Sequence, residues 1–288
     1  MRYKFMFDHH KSKGWPLRVM ARLLCVSLSG YHAWIRRPNC PRHDKDAWYQ
    51  SIIKELFEQS RQTYGSPRIF EDLRALGHRI SEKRVARLMR EMGISPVQKR
   101  RSVRTTVSDI HGWHAPNLLD REFRADAPNI KWVGDITYID THQGWLYLAT
   151  VIDLFSRRVV GWAFSTTIDA SLVCSALSMA VRQRKPAPGV IFHSDRGSQY
   201  ASHGFRSLCT LHGIEQSMSG RGDCYDNAVA ESFFHSLKID LVHRRRYQTT
   251  DEARSDIFSY IEGFYNACRR HSTINYCSPE QWEQQHAA

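Results

Sequence analysis

The sequence predicts a two-part protein, in which a strongly basic all-α half precedes an α/β domain built on a mixed sheet. The first observation is charge: residues 1–104 carry 23 Lys and Arg against 9 Asp and Glu, whereas residues 105–288 carry 18 against 20. The second is hydrophobic spacing, which is helical through residue 94 and becomes strand-like from residue 131. A chain of 288 residues with 42% hydrophobic content is long enough for about two domains with substantial cores.

Residues 1–45 are predicted to form a helix-turn-helix-like segment. Apolar residues recur at helical spacing over 17–26, a serine-rich stretch at 27–29 interrupts them, and Ser29 can cap a second helix that runs through Trp34. Short helix pairs of this kind are common in proteins, so the pattern by itself leaves the role of the segment open.

Residues 46–104 are predicted to form a basic helical DNA-binding module. One helix would run through Ser60, a second would begin at Pro67, and a third, capped by Ser81, would end before Gly93. The basic residues expected to face outward from the third helix or to follow it are Lys83, Arg84, Arg87, Arg90, Lys99, Arg100 and Arg101. Their expected role is salt-dependent contact with DNA phosphates. A basic surface that serves only solubility is the alternative.

Residues 105–127 are predicted to be a linker, and residues 128–240 an α/β core. The predicted elements of the core are strands at 131–140, 145–153 and 157–164, a helix at 169–184, a strand at 190–195, a helix at 200–212, a short strand at 214–217 and a last helix that carries Glu231. Three antiparallel strands followed by alternating helices and strands are the layout of a ribonuclease-H-like domain, which has a mixed five-stranded sheet with helices. In that layout the first and fourth strands are neighbours.

Three carboxylates in this core have the sequence positions of a metal site. Asp135 lies in the middle of the strand-like run WVGDITYI, Asp195 ends the run VIFHSD, and Glu231 lies early in a helix, with 35 residues between the last two. Adjacent first and fourth strands would bring Asp135 beside Asp195, and a buried carboxylate without a cationic partner is costly. Hard divalent cations take oxygen ligands, and two such ions clamp the oxygens of a phosphoryl displacement. The pattern therefore predicts bound Mg²⁺, with Mn²⁺ as a substitute, although a chance placement of three acids near turns is the alternative.

Seven stretches of the sequence carry a family resemblance. They are YGSPRI at 64–69, KRVARLMREMGI at 83–94, WVGDITYI at 132–139, LATVIDLFSRRVVGWA at 148–163, HSDRGSQYAS at 193–202, GDCYDNAVAESFFHSLK at 222–238 and YIEGFYNACRRHSTINYCSPEQW at 260–282. In these stretches, which extend over nearly the whole chain, the sequence closely resembles the catalytic second-frame transposases of the IS3 group of bacterial insertion sequences. That group belongs to the superfamily of DDE transposases and retroviral integrases.

The resemblance implies a DNA transposase that cleaves the 3′ ends of its element and transfers them to a second strand. Asp135, Asp195 and Glu231 would be the catalytic, metal-binding triad, and Lys238, seven positions after the glutamate, would contact DNA. It also implies double-stranded DNA as the partner, a homo-oligomer on that DNA, and a partner or fusion encoded in an upstream frame. Two other functions stay open at this point: a catalytically inactive, sequence-specific DNA-binding regulator, and a structure-specific nuclease that does not join strands.

Residues 241–288 are predicted to be a C-terminal helical extension. Thr249 and Glu252 have capping-box spacing at the start of a helix that would run through Tyr265, and Ser278 precedes another helix. The apolar residues of the first helix would pack it against the α/β core.

Several properties are disfavoured by the sequence. It has no run of about 18 apolar residues, and its N-terminus lacks the apolar core of a signal peptide, so we expect a cytoplasmic protein. The family resemblance implies that this protein is bacterial and associated with the nucleoid. The seven cysteines include no CxxC pair, which favours free thiols in a reducing compartment. No GxxxxGK[ST] loop occurs, so ATP use is not indicated. Asp140 and Asp153 flank predicted turns and are expected to be turn or solvent residues.

Overall fold

The computed structural model describes residues 2–36, 41–97, 114–220 and 227–286. The predicted DNA-binding residues Lys99, Arg100 and Arg101, the first part of the predicted linker, and residues 221–226 lie outside these ranges.

Three short helices form the N-terminal segment: α1 (Arg2–Lys13), α2 (Leu17–Leu23) and α3 (Leu28–Arg36). Their shared core consists of Met6, Met20, Ala21 and Tyr31. The helix pair predicted from the sequence is α2 and α3, but the predicted cap is wrong, since the hydroxyl of Ser27 rather than Ser29 accepts from the Gly30 N–H at 3.0 Å. The sequence does not predict α1, because that helix buries only Met6 and so has no apolar stripe.

Three further helices form the basic module: α4 (Pro41–Gln59), α5 (Ser66–Ala75) and α6 (Glu82–Glu91). As predicted, Pro67 lies in the first turn of α5, and the Ser81 hydroxyl caps α6 by accepting from the Arg84 N–H at 3.3 Å. Ile53, Ile69 and Leu88 are fully buried and belong to the same hydrophobic cluster as residues of the sheet. The basic module therefore shares a continuous core with the α/β domain.

The α/β domain has one five-stranded sheet in the order β3-β2-β1-β4-β5. Its strands are β1 (Lys131–Thr141), β2 (Gly144–Asp153), β3 (Val159–Ser165), β4 (Ile191–Ser194) and β5 (Glu215–Met218). The first three pair antiparallel, whereas β4 pairs parallel with β1 and with β5. The predicted adjacency of the first and fourth strands is confirmed, and the sheet is mixed as the ribonuclease-H-like layout requires.

Helices cover both faces of this sheet. They are α7 (Ala170–Arg184), α8 (Ser198–Ala201), α9 (His203–Leu211) and α10 (Ala228–Asp240). The predicted single helix at 200–212 is wrong: Ser202 has an extended backbone between α8 and α9, and its hydroxyl caps α9 by accepting from the Phe205 N–H at 3.2 Å. Trp132 belongs to the core on the side of α7 and α9, whereas Val133 belongs to the core on the side of α10. This alternation along β1 sets which residues face α10.

Asp153, expected to be a turn or solvent residue, is instead fully buried at the end of β2. One of its oxygens accepts from the Asn129 N–H at 2.8 Å, the other accepts from the Phe155 N–H at 2.9 Å, and the Arg184 guanidinium lies 3.6 Å away. The residue does border the turn after β2, but its role is to bind neighbouring backbone from inside the core. Asp140 is exposed, as expected.

The C-terminal extension contains α11 (Thr250–Tyr260), a π-helical continuation (Ile261–Asn266) and α12 (Pro279–Gln285), with 3₁₀ turns at Val242–Arg244 and Ser272–Ile274. The Thr249 hydroxyl caps α11 by accepting from the Glu252 N–H, but the Glu252 carboxylate accepts from the Gln248 N–H, so only half of the predicted capping box is formed. Ser278, predicted to precede a helix, forms a full capping box with Gln281. The side chain of Asn266 exchanges two hydrogen bonds with the backbone of Val159, at 2.9 and 3.0 Å. This pairing fastens the extension to β3.

The extension also holds the basic module against the sheet domain. Arg270 donates to the carboxylate of Asp72 on α5, and its own N–H donates to the hydroxyl of Tyr64 at 2.7 Å. At the other end, Glu283 of α12 binds Arg184 of α7 through two hydrogen bonds of 2.9 Å. Within the described ranges, none of the helices has the length and apolar character needed to cross a membrane.

Candidate active site

The pairing between β1 and β4 ends just before the two candidate aspartates. Val133 opposite His193 is the last pair of this parallel ladder, and Asp135 and Asp195 each follow two residues later. Because side chains alternate along strands, an extension of the register places both carboxylates on the same face, the one covered by α10. The prediction that Asp135 and Asp195 lie beside each other follows from this register.

A glycine in β1 leaves room for an aromatic ring from β4 beside Asp135. The buried ring of Phe192 lies against Gly134 so closely that a Cβ at position 134 would overlap it. Phe192 packs in turn on Phe205, with ring centroids 5.2 Å apart. Gly134 therefore leaves room for the Phe192 ring immediately beside Asp135.

Without a metal ion, the surroundings of Asp135 and Asp195 disfavour the charged forms of both carboxylates. Burial raises the pKa of Asp135 well above its usual value, and the negative charges of Asp195 and Glu231 raise it further, while the Ile136 N–H and the Lys238 ammonium oppose the shift. Burial also raises the pKa of Asp195, against a hydrogen bond of 3.0 Å from the Gly197 N–H. A bound cation would relieve these penalties.

Glu231 reaches this site from the first turn of α10 and is exposed. Apolar residues at helical spacing form the buried stripe of this helix, and Ala230, Phe233, Phe234 and Leu237 all lie in the core. With that stripe buried, Glu231 lies on the exposed side of the helix and close enough to Asp135 to raise its pKa. The glutamate also sits near the positive end of the helix dipole, which favours its charged form.

Asn227 joins the start of α10 to β1. It occupies the N-cap position, but its side chain makes no cap hydrogen bond. Instead its Nδ2 donates to the carbonyl of Gly134 at 3.2 Å, and the side chain is buried. This hydrogen bond links the residue before Asp135 to the helix that carries Glu231.

Lys238 of α10 lies close to Asp135 and to Tyr138 of β1. Its Nζ is 4.6 Å from the centroid of the Tyr138 ring. Burial lowers the pKa of Lys238, although the Tyr138 phenol and the Asp135 carboxylate oppose that shift. The positive charge of Lys238 in turn opposes the rise in the pKa of Asp135.

A polar network that sequence reasoning did not identify supports the end of β4. The fully buried ring of His193 binds the Ser217 hydroxyl at 2.8 Å and the Ser219 hydroxyl at 3.2 Å, and Arg196 donates to the Ser219 carbonyl at 2.7 Å. These bonds hold the end of β5 against the residues that flank Asp195. The signal in the sequence is a histidine within an otherwise apolar strand, which indicates a buried polar partner.

The carboxylates of this site are suitable ligands for a hard divalent cation, although they do not already surround a single position. Within the described residues, no three His, Cys, Asp or Glu side chains are already gathered as a metal-ligand set. Asp135 and Asp195 are half-buried carboxylates whose pKa values are raised in the absence of a cation. Carboxylate oxygens are the ligands that Mg²⁺ and Mn²⁺ prefer. The residues present therefore fit such a metal.

The predicted DNA-binding residues of α6 differ in their surroundings. The guanidiniums of Arg84 and Arg87 both bind the carboxylate of Asp46 on α4, at 2.6 and 2.8 Å, whereas Lys83 and Arg90 are exposed. The two arginines are therefore already engaged by a carboxylate, and any contact with a phosphate would have to compete with it. Contact of these residues with DNA stays a prediction.

Comparison with known proteins adds the following findings. An HTH-like domain model matches residues 43–102, and two integrase core domain models match residues 125–224 and 231–286. Transposase InsF for insertion sequence IS3A of Escherichia coli (strain K12) is 40% identical over 291 residues, which cover 100% of both chains. A 31 kDa protein of insertion element IS600 from Shigella sonnei is 39% identical over 93% of this chain and 98% of its own. In a cryo-EM structure of the simian T-cell lymphotropic virus intasome, one chain aligns with a TM-score of 0.48 and 17% identity over 82% of this chain and 75% of its own.

Proposed function

The chain belongs to the IS3 family of insertion-sequence transposases, and we propose that it catalyses metal-dependent cleavage of the 3′ ends of its element and their transfer to a target strand. The observation that carries this proposal is the shared register of Asp135 and Asp195 beyond the last β1–β4 pair, together with the position of Glu231 close enough to raise the pKa of Asp135. Asp135 and Asp195 belong to adjacent strands, and Glu231 belongs to a helix that packs beside them. This arrangement supports a catalytic rather than a purely structural role for the three acids.

In this proposal, Asp135, Asp195 and Glu231 hold Mg²⁺, or Mn²⁺ in its place, and the bound ions would activate water and stabilise charge on the transferred phosphoryl group. The chain itself supplies positioning. The Gly134–Phe192 contact fixes β1 against β4, and the Asn227 hydrogen bond holds the start of α10 against β1. Correct placement of reacting groups accounts for much of the rate in such reactions.

Lys238 has the proposed role of binding a DNA phosphate beside the reacting strand. Its ammonium lies between the exposed surface at Tyr138 and the Asp135 carboxylate, and burial lowers its pKa, so little water has to be displaced when a phosphate binds. An ammonium at this place would also offset the negative charge that DNA brings to an acidic site.

The basic module is proposed to bind double-stranded DNA, both the element ends and the target. Lys83 and Arg90 are its exposed cations on α6, and Arg84 and Arg87 would join them after exchange with Asp46. Lys99, Arg100 and Arg101 are proposed to extend the same phosphate-binding surface. We further propose that the protein works in the bacterial cytoplasm, as a homo-oligomer on DNA and with a product of an upstream frame as partner or fusion.

The proposal is tested with purified full-length protein and DNA that carries the ends of the element. We expect Asp135→Asn, Asp195→Asn and Glu231→Gln each to abolish cleavage and joining while DNA binding stays within about twofold of wild type. Loss of DNA binding in parallel with activity would indicate a structural role for the carboxylates. Binding without cleavage by the wild-type protein would favour an inactive regulator, and cleavage without joined products would favour a nuclease.

A further inference from the structure

Two large aromatic side chains are exposed at the far end of the β1–β2 hairpin. Tyr138 is 39% exposed and Trp145 is 49% exposed, and their ring centroids are 5.1 Å apart with an interplanar angle of 89°. Earlier residues on the same face of β1 are covered: Trp132 is fully buried, and Ile136 packs against the core on the side of α7 and α9. The aromatic surface therefore begins where the covering helices end.

Stabilisation of the hairpin alone does not account for this pair. Cross-strand aromatic pairs do stabilise hairpins by about 0.2–1 kcal/mol. Here, however, a third residue from a different element takes part, because the Lys238 ammonium of α10 lies 4.6 Å from the Tyr138 ring centroid. The same ammonium lies close enough to Asp135 for that carboxylate to affect its pKa. One cation thus connects the exposed rings with the candidate catalytic site.

The Lys238 ammonium relates the rings to the site. Tyr138 follows Asp135 by three residues, so its side chain lies on the opposite face of β1, roughly 10 Å further along the strand, which is about the length of three stacked nucleotides. Lys238 lies near both residues, so a nucleotide strand that leaves the site past this ammonium would meet the Tyr138 ring. Aromatic rings next to a phosphate-binding cation are the arrangement by which proteins bind single-stranded nucleic acid, since every base offers a π face. A base inside an intact duplex has both faces covered by its neighbours, and a terminal base pair exposes only one face in a fixed orientation. An unpaired base can turn out of the stack toward this surface, so it is the better ligand.

We propose that Tyr138 and Trp145 form a stacking surface for an unpaired nucleotide at the end of the DNA, with Lys238 bound to the adjacent phosphate. The inference rests on the proposed function and extends it: the protein would hold the end of the duplex frayed, so that the reacting strand enters the acidic site. Trp145 supplies the more exposed ring, and Tyr138 orients it from the neighbouring strand. Because any base can stack, this surface would discriminate unpaired from paired ends and would not read sequence.

The test measures binding by the full-length protein without divalent cations, so that no chemistry occurs. One DNA duplex has fully paired ends, and a second has two mismatched terminal nucleotides, one of them the fluorescent base 2-aminopurine. We expect the wild type to bind the mismatched end about tenfold more tightly, within the range that one base–aromatic stack provides, and to quench the 2-aminopurine fluorescence.

Substitutions separate the ring from apolar bulk. Trp145→Leu keeps an apolar side chain but has no ring, and it should lose both the preference and the quenching, whereas Trp145→Phe should retain most of both. Trp48→Ala is the matched control, because Trp48 is 50% exposed on α4, outside the α/β domain, and its loss should leave the preference unchanged. A thermal melt of each variant confirms that it is folded.

The inference is overturned if the wild type binds both ends equally, or if Trp145→Leu keeps the preference. The result of this binding test can be distinguished from the result of the test of the proposed function. Joined DNA products from a wild type without an end preference would leave the transposase proposal standing and remove this one. A Trp145-dependent preference for the mismatched end, in a protein that yields no joined DNA products, would support this inference and count against the transposase proposal.

Discussion

Replacement of Asn227 by alanine tests whether one buried hydrogen bond positions the candidate triad. The Asn227 Nδ2 donates to the Gly134 carbonyl at 3.2 Å, and the side chain is only 5% exposed. Asn227→Ala removes this donor, and water has little access to replace it. The bond connects the residue before Asp135 with the first turn of the helix that carries Glu231.

The expected loss of stability is modest and the expected loss of rate is large. A buried carbonyl left without its donor costs about 1–3 kcal/mol. For a protein of this size, each kcal/mol lowers Tm by about 2–4 °C, so the melting temperature should fall by roughly 2–12 °C. A displacement of about 1 Å between reacting groups costs on the order of 100-fold in rate, and we expect a loss of that size in DNA joining.

The assay compares Asn227→Ala with the wild type in joining rate, DNA affinity and Tm, at a temperature well below both melting transitions. Ser278→Ala is the matched control: it removes a buried capping residue of α12 and should cost about 1 kcal/mol without touching the site. A joining rate within about threefold of wild type for Asn227→Ala would refute the positioning role. So would an equal rate loss in Ser278→Ala, since the effect would then follow stability alone.

Three further predictions concern DNA affinity, stability and pH. Asp46→Asn should free the two α6 arginines that the Asp46 carboxylate binds. The plot of log affinity against log salt should then become steeper by up to about 2, at roughly 0.9 per phosphate contact. An unchanged slope, measured by fluorescence anisotropy, would show that α6 does not contact DNA. Glu283→Ala should leave the largely buried Arg184 without its bidentate partner. The free energy of unfolding, measured with denaturant, should fall by about 3 kcal/mol, and a loss below about 1 kcal/mol would contradict this account. Burial and the neighbouring carboxylates raise the pKa of Asp135 in the folded state, so the folded protein holds this proton more tightly than the unfolded chain does. The metal-free protein should therefore lose stability as pH rises from about 4 through that raised pKa. Asp135→Asn should therefore raise Tm without metal, more at pH 8 than at pH 4, and should reduce the Tm increase caused by Mg²⁺; equal effects at both pH values would contradict the sign.

Much of the α/β domain follows from local patterns in the sequence. The alternation in WVGDITYI predicts β1, and the apolar run that ends at Asp195 predicts β4. Their adjacency follows from the order of elements, and the buried stripe of α10 follows from helical spacing. In each case, the residues that decide the structure are close together in sequence, and burial of one face leaves a single arrangement.

The features that the sequence does not predict depend on contacts between distant residues. Asp153 has the sequence context of a turn residue, but its burial depends on Asn129 and Arg184. Asn227 has the residue type of a helix cap, yet its donor binds a strand far away in the chain. Periodicity carries no information about such partners.

Lys238 and the α6 arginines show the same limit on a surface. The spacing from Glu231 suggests a functional lysine, but its contact with Tyr138 appears only when α10 packs beside β1. Basic residues on an amphipathic helix suggest a free cationic face, whereas Asp46 of α4 binds two of them. Sequence spacing identifies candidate groups, and tertiary packing determines which are available.

The central claim, that Asp135, Asp195 and Glu231 catalyse DNA transposition, is tested most directly by an assay for abutted element ends in cells. The chain, with any overlapping upstream frame, is expressed beside a plasmid that carries the DNA flanking its gene, and junctions between the element ends are amplified for the wild type and for Glu231→Gln. We predict junctions with the wild type only, although both proteins accumulate and bind DNA equally. Junctions of equal abundance with Glu231→Gln, or none with a wild type that is expressed and bound to DNA, would contradict the claim.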